Sequence, residues 1–355
     1  MFGAGKNNQF IGVDIGESAV KLVQLARSGK TYTIQKMAIE PLHRGLFVDG
    51  QIVDAEQIGT IIKHTLTQHK FSAKQAISCV NFADIISKKL MVRADLKGRE
   101  LENWIEFEVD KFVPFPVSDL NLDYQFLETD AEAGNADVEK EVQVTACRKQ
   151  TIDNLVSCLE LAELRPFAID VTHNALQRAS QLVVQSMAGA GMTDLTAIID
   201  VGTSSTRFYV YEGENMVYQR EEPFGARILV DDIMREYSMT EDKALQAIYH
   251  KQLAPSYKTK VLKPYVKLML KEIDRGMMAF DASGIDGQIA RILMAGGSAR
   301  VGGLESIVHK RIRLDVKTMD PLSLMKAERK LDPLLFQSMA PQLAAACGLA
   351  MWAED

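Results

Sequence analysis

Apolar and polar positions alternate along the first forty residues. The stretches "QFIGVDIG", "AVKLVQLA" and "YTIQKMAIEPL", with an "RSGK" turn between the last two, predict an antiparallel meander of three strands. From about Asp54 the period lengthens: Ile58, Ile61, Ile62, Thr65 and Leu66 recur at helical spacing, with Asp54 as N-cap and Gln57 as its capping-box partner. "QAISCVNF" and "SKKLMVR" read as strands, and "GRELENWIEFEVDKF" sets Leu101, Trp104, Ile105, Glu108, Val109 and Phe112 along a largely apolar helical face. "VPFP" ends that helix, since each proline disfavours a helical residue before it. The strands "NLDYQFLE" and "EVQVTACR" flank an acidic, glycine-containing loop. A helix near "TIDNLVSCLELAEL", a strand "PFAIDV" and a helix from about His173 follow.

The pattern then begins again. "TAIIDVGTSSTRFYVYEGENMVYQREEPFG" reads as an apolar strand running into Asp-x-Gly, a hydroxyl-rich turn, an alternating strand, a Gly-Glu-Asn turn and a third strand. Asp14 and Asp200 stand 186 residues apart, about half the chain, which predicts two diverged copies of one meander-plus-helices unit. After Gly225 the chain reads as mostly helical. It closes with the strand "ARILMAGGS", a short helix, "RLDVKTMDP" and a terminal helix. At 355 residues it exceeds one comfortable core, as two lobes require.

Composition narrows the partners. With 47% hydrophobic and 25% charged residues, a net charge of −6 and scattered cysteines (Cys79, Cys147, Cys158, Cys347), the chain reads as a soluble protein with buried thiols in a reducing compartment. No global basic field points to nucleic acid or anionic lipid. "MFGAGKNNQF" lacks the apolar region of a signal peptide, and "LAAACGLAMWAED" is too short to span a bilayer. The expected location is the cytoplasm, with any membrane contact made through a partner.

Taken singly, "DIGESAVK", "DVGTSST" and "AGGSARVGG" read as ordinary turns. Together they form a three-part signature: two Asp-x-Gly hairpins at matching points of a repeat, and a strand-Gly-Gly-helix junction late in the second copy. Such hairpins offer backbone N–H groups in a concave nest that holds phosphate oxygens. Ser18, Ser204, Ser205 and Thr206 add hydroxyls and Lys21 a point charge. Two facing carboxylates, Asp14 and Asp200, suit a hydrated Mg²⁺, which keeps most of its waters. Gly296 and Gly297 let a flat base lie against backbone.

With these motifs the chain resembles the actin, sugar-kinase and heat-shock-chaperone superfamily over nearly its whole length. The resemblance implies an α/β, duplicated actin-like (RNase H-like) two-lobed fold with a small inserted α+β subdomain in the first half. The expected boundaries are 1–74 and 166–190 for the first lobe, 75–165 for the insert and 191–355 for the second lobe, the last with a mostly helical subdomain at about 226–285. It implies ATP or ADP with Mg²⁺ in the cleft. Nucleotide contacts are expected from Asp14, Gly16, Glu17, Ser18 and Lys21 in the first motif, and from Asp200, Gly202, Thr203, Ser204, Ser205 and Gly225 around the second. Gly296, Gly297 and Ser298 stand in the adenosine motif. Lys271, Glu272 and Arg275 match the helix that contacts ribose and adenine.

Within the superfamily, "IEFEVDKFVPFPVSDLNLDYQFLE" and "VQVTACRKQTIDNLVSCLELAELRPFAIDV" resemble the PilM-like family of type IV pilus assembly. That likeness implies an adaptor whose groove captures the cytoplasmic N-terminal peptide of PilN, with links to pilus motor ATPases and a homodimer as further expectations. Phe112, Val113 and Phe115 border the expected groove or pin the helix-to-strand connection onto the small subdomain's core, and both roles can hold. Lys88, Lys89 and Arg93 read as a solvated strand face. Hydrolysis is expected to be slow or absent, because Thr172, His173 and Asn174 stand where relatives commonly show an acidic residue, and threonine or asparagine is a poor general base. The alternatives on the same fold are a small-molecule kinase, for which no acidic base beside an acceptor pocket stands out, and an FtsA-like polymerising tether. The basic amphipathic helix of such a tether has no counterpart in "CGLAMWAED".

Overall fold

Alternation over the first forty residues becomes the antiparallel strands β1 (Phe10–Gly16), β2 (Ala19–Ser28) and β3 (Thr31–Pro41) in the computed structural model. The structure describes residues 9–352 apart from 30, 49, 128–138, 188–190, 192–193, 250–251, 302 and 329–338. The readings made of residues 1–8 and of the acidic loop at 128–138 lie outside the described residues.

A short hairpin of β4 (Phe47–Val48) and β5 (Gln51–Ile52) leads into α1 (Ala55–Gln68). The Asp54 carboxylate caps α1 by accepting from the Gln57 backbone N–H at 2.9 Å. Ile58, Ile62 and Leu66 are buried on its inner face, each side chain contributing roughly 1.5–3 kcal/mol of apolar burial. β6 (Gln75–Val80) returns parallel to β1.

Between β6 and the next strand of that sheet lies a separate unit. It comprises β7 (Ile85–Arg93), α2 (Arg99–Val109), β8 (Leu120–Phe126) and β9 (Glu139–Arg148), the strands ordered β7-β9-β8. Leu101, Ile105 and Val109 of α2 bury against Val92, Val142 and Val144 on one face of this sheet. α3 (Lys149–Leu161) then packs with α1 in the first lobe's core, and β10 (Arg165–Val171) pairs parallel to β6. α4 (Thr172–Gln185) leads to the second half.

There β11 (Leu195–Val201), β12 (Thr206–Glu212) and β13 (Asn215–Glu222) repeat the meander. α5 (Ala226–Tyr237), α6 (Glu241–Tyr249) and α7 (Lys263–Asp281) follow, then β14 (Ile289–Gly296), α8 (Leu304–Ile312), β15 (Asp315–Thr318), β16 (Lys326–Ala327) and the short α9 (Ala344–Ala350). The two large sheets run β10-β6-β1-β2-β3-β16 and β13-β12-β11-β14-β15. Apart from β16 they have one order, with β1, β2, β3, β6 and β10 answering to β11, β12, β13, β14 and β15. The fold is the duplicated two-lobed α/β architecture expected.

Several boundaries differ from those read in the sequence. β6 and α3, expected in the insert, belong to the first lobe, so sheet membership confines the insert to residues 85–148. β16 pairs with β3, and α9 packs on β1 and β2, so the end of the chain returns to the first lobe. Local pattern shows a strand but not its sheet, and these assignments depend on long-range pairing.

Strand period decides what faces the cleft. On β1, Ile11 and Val13 join the outer core with α1, while Phe10 and Gly12 look the other way, toward α9. On β11, Ala197, Ile199 and Val201 enter the second lobe's outer core and Ile198 faces α4. Asp14 shares the parity of Gly12, and Asp200 that of Ile198, so both carboxylates fall on the interlobe face. α4 and α9 cross between the sheets at backbone contact. A Cβ on Gly12 would sit 2.0 Å from the Ala346 carbonyl oxygen, and one on Gly348 only 1.8 Å from that of Ala175.

Candidate functional site

Each meander delivers a carboxylate and a cation to the cleft through strand pairing. Asp14 on β1 lies opposite Lys21 on β2, and Asp200 on β11 opposite Arg207 on β12. Lys21 shares the parity of Val23 and Leu25, and Arg207 that of Tyr209 and Tyr211, all of which line the interlobe side. The Lys21 ammonium donates to Asp14 at 2.8 Å. The Arg207 guanidinium stands 3.6 Å from Asp200 and 3.3 Å from Glu221 of β13.

These four groups sense one another through little water. Burial pulls Lys21 down, but the charge and hydrogen bond of Asp14, with a contribution from Asp200, outweigh it and the ammonium is raised. Burial pushes the Asp200 carboxyl up despite Arg207 and Lys21. Burial likewise opposes the charge on Arg207, but Asp200, Tyr209, Glu221 and Asp14 together outweigh it and the guanidinium is raised. Two positive and two negative groups sit together, neutral as a set.

The hairpin tips touch across the cleft. Thr203 Oγ1 donates to Ser18 Oγ at 2.7 Å, Ser204 Oγ donates to Glu17, and Arg227 Nη2 reaches Glu17 at 3.3 Å. Further out, Arg44 of the first lobe pairs with Asp231 at 2.8 Å and with Glu241. Beneath them opens a cavity of about 550 Å³ lined by Glu17, Arg44, Asn81, Ser204, Ser205, Arg207, Glu221 and Arg227, among others.

Glycines permit the close approach. A Cβ at Gly225 would lie 2.3 Å from the Thr203 carbonyl oxygen, which itself accepts from the Arg227 N–H at 2.8 Å. The start of α5 is thereby seated on the second hairpin. Gly296 has φ +85°, and a Cβ there would meet Asp200 Oδ1 at 2.7 Å. Gly16 lies beside the Lys21 ammonium, and the Gly202 N–H closes its turn on Ser205 O at 2.9 Å.

Other residues expected at the site lie elsewhere or are already bonded. Thr206 is buried and donates to the Phe224 carbonyl at 2.7 Å, so its hydroxyl does not reach the cleft. Ser298 is buried against Tyr265, hydroxyl to hydroxyl at 2.7 Å. Gly297 stands at the start of the turn after β14 and lines no part of the cavity. Lys271, Glu272 and Arg275 do not line it either, and Arg275 donates to Glu272 at 2.9 Å along α7. Thr172 is buried and its hydroxyl donates to the Val80 carbonyl at 3.0 Å. The Asn174 amide donates to Asp170 at 3.1 Å. His173 packs between Phe82 and Tyr209, and burial lowers its pKa to about 4.

In the insert, Val113 is core and Phe112 is half-buried under the Lys88 ammonium, 4.7 Å from the ring. Phe115 is 38% exposed with the Arg148 guanidinium 5.1 Å above it. Lys89 reaches Glu141 at 3.4 Å and Arg93 reaches Asp95 at 3.1 Å, both exposed pairs.

Arg207 was missed by the sequence reading, although a signal existed. Lys21 follows Asp14 by seven residues, and Arg207 follows Asp200 by the same spacing, so the repeat carries its cation as well as its carboxylate.

The chain matches a family model described as type IV pilus assembly protein PilM over residues 12–354. Among solved structures it is similar to one titled "PilM-PilN type IV pilus biogenesis complex", with 20% identity, 98% of each chain covered and a TM-score of 0.78. It is also similar to the ethanolamine utilization protein EutJ from Carboxydothermus hydrogenoformans (14% identity, 97% and 89% covered, TM-score 0.57). MreB 5 of Spiroplasma citri bound to AMPPNP follows at 11% identity, 98% and 96% covered, with a TM-score of 0.51.

Proposed function

The chain belongs to the type IV pilus assembly protein PilM family, and from that premise we propose that it is an ATP-binding adaptor of the pilus assembly machinery. The observation that carries nucleotide binding is the interlobe quartet of Asp14, Lys21, Asp200 and Arg207, of which Arg207 also lines the cavity between the hairpins. Lys21 and Arg207 would hold phosphate oxygens of a bound nucleotide, and Asp14 and Asp200 would hold the metal ion. The donor set fits Mg²⁺ held through water, since it comprises two carboxylates and no soft ligand. The ion would neutralise phosphate charge. Ser18, Thr203 and Ser204, which now hold each other and Glu17, offer their hydroxyls to phosphate oxygens. The similar fold of an MreB bound to AMPPNP supports this use of the cleft.

Turnover is slow or absent on this reading. Thr172 and Asn174 are held in internal hydrogen bonds, and His173 is packed at a tilt between the Phe82 and Tyr209 rings. None is placed to take a proton from water.

The partner is the cytoplasmic N-terminal peptide of PilN, a reading supported by family membership and by the fold shared with the PilM–PilN complex. Phe112 and Phe115 offer apolar surface at the rim of the insert. The protein works in the cytoplasm, reaching the inner membrane only through that partner; among the described residues no helix is long and apolar enough to cross a membrane. Contacts with motor ATPases and a homodimer are extensions of the same role. The test is calorimetry of the full chain with a peptide from the PilN N-terminus, in apo, MgADP and MgATP forms. Binding is expected in all three, tightest with MgATP. Absence of binding in every form overturns the adaptor reading, and failure to take up ATP overturns the site.

A further inference from the structure

We infer that Arg207 is a second phosphate cation that selects the triphosphate over the diphosphate, an inference that rests on the nucleotide reading of the cleft. Lys21 and Arg207 are equivalent positions of the internal repeat, each opposite its aspartate on a paired strand and each turned to the interlobe face. They are held differently. Lys21 makes an aligned 2.8 Å bond to Asp14. Arg207 lies 3.6 Å from Asp200, beyond hydrogen-bond distance, and its buried Nε makes no hydrogen bond despite Glu221 at 3.3 Å. A guanidinium with charge compensation but unused donors is poised to receive an anion. Arg207 lines the cavity and packs beside Gly202 of the second hairpin, where a Cβ would be 3.6 Å from Nη1.

Charge accounting indicates which anion. With Asp14 and Asp200 holding a divalent ion, Lys21 and Arg207 would both be free to meet phosphate. ATP differs from ADP by one phosphate group and about one negative charge, and the second cation answers that difference. A planar guanidinium meets two oxygens of one phosphate at once, which suits a terminal group with three free oxygens. Binding ATP draws Arg207 away from Glu221 on the edge strand β13. The nucleotide state is thereby felt at the sheet edge.

The experiment measures MgATP and MgADP affinity of the full chain by calorimetry for the native protein, Arg207→Gln and Glu221→Gln. Arg207→Gln is expected to weaken MgATP at least about tenfold while changing MgADP by less than about threefold. Glu221→Gln, which removes the competitor, is expected to raise the ATP-to-ADP preference about two- to threefold. If Arg207→Gln leaves the ratio of the two affinities unchanged, the inference is overturned. If that variant does not fold, an unchanged ratio in Glu221→Gln overturns it. A native chain that binds neither nucleotide overturns the parent reading instead.

Discussion

The two hairpins are copies that have drifted apart in how firmly they hold their charges. The first is a tight two-residue turn between Gly16 and Ala19, with its ion pair at hydrogen-bond distance. The second spans Gly202–Ser205, is braced by the start of α5 through the Ala226 and Arg227 N–H groups, and keeps its cation loosely between two carboxylates. One arm is thus stiff through its side chains and the other through backbone bonds to a helix. The side chain left loose is the one able to respond to a ligand.

The largest effect is expected where the two halves meet. Gly348→Ala forces a methyl into the Ala175 carbonyl and should cost about 3 kcal/mol or more in urea denaturation. Near-native stability would show that the crossing of α4 and α9 is elastic. The comparison itself is tested by Asp14→Asn against Asp200→Asn. The first leaves a largely buried ammonium without its partner and should cost about 2–3 kcal/mol. The second leaves Arg207 with Glu221 and should cost about 1 kcal/mol. Equal losses would erase the asymmetry.

A pH series probes the floor shared by both halves. Burial holds His173 at about pKa 4 in the folded chain against its ordinary 6.5, so the folded state resists its protonation. The sign is that of stability present above pH 6.5 and lost as pH falls toward 4, about 2 kcal/mol of it by pH 5. His173→Phe should flatten that part of the profile. Both proteins losing stability in parallel would place the titration elsewhere. The smallest effect is expected at the rim: Arg44→Ala removes exposed pairs and should change stability by no more than about 1 kcal/mol, while speeding nucleotide release measured by stopped-flow fluorescence.

Much of this was written locally. Strand alternation, the Asp54 cap and the recurrence of Asp-x-Gly marked the elements and the duplication, because period and turn chemistry act over a few residues. Ser298 and Thr206 were misplaced for the opposite reason. Both belong to the right motif, but their hydroxyls are taken by Tyr265 and Phe224, partners 33 and 18 residues away. Lys271, Glu272 and Arg275 lie along α7, and their identity says nothing of which cavity the helix faces.

The amino-acid order by itself determined the two meanders, the parity that sends Asp14, Lys21, Asp200 and Arg207 to one side of their strands, and the glycines at the turns. Only the tertiary structure decided that those two sides face each other, that β6 and α3 belong to the first lobe rather than the insert, and that the last helix closes back on β1. Periodicity is a property of neighbours along the chain. Which sheet a strand joins follows from pairing between segments well apart in sequence, as β1 with β6, and how loosely a charge is held follows from the distances that strand pairing sets, as between Arg207 and its two carboxylates.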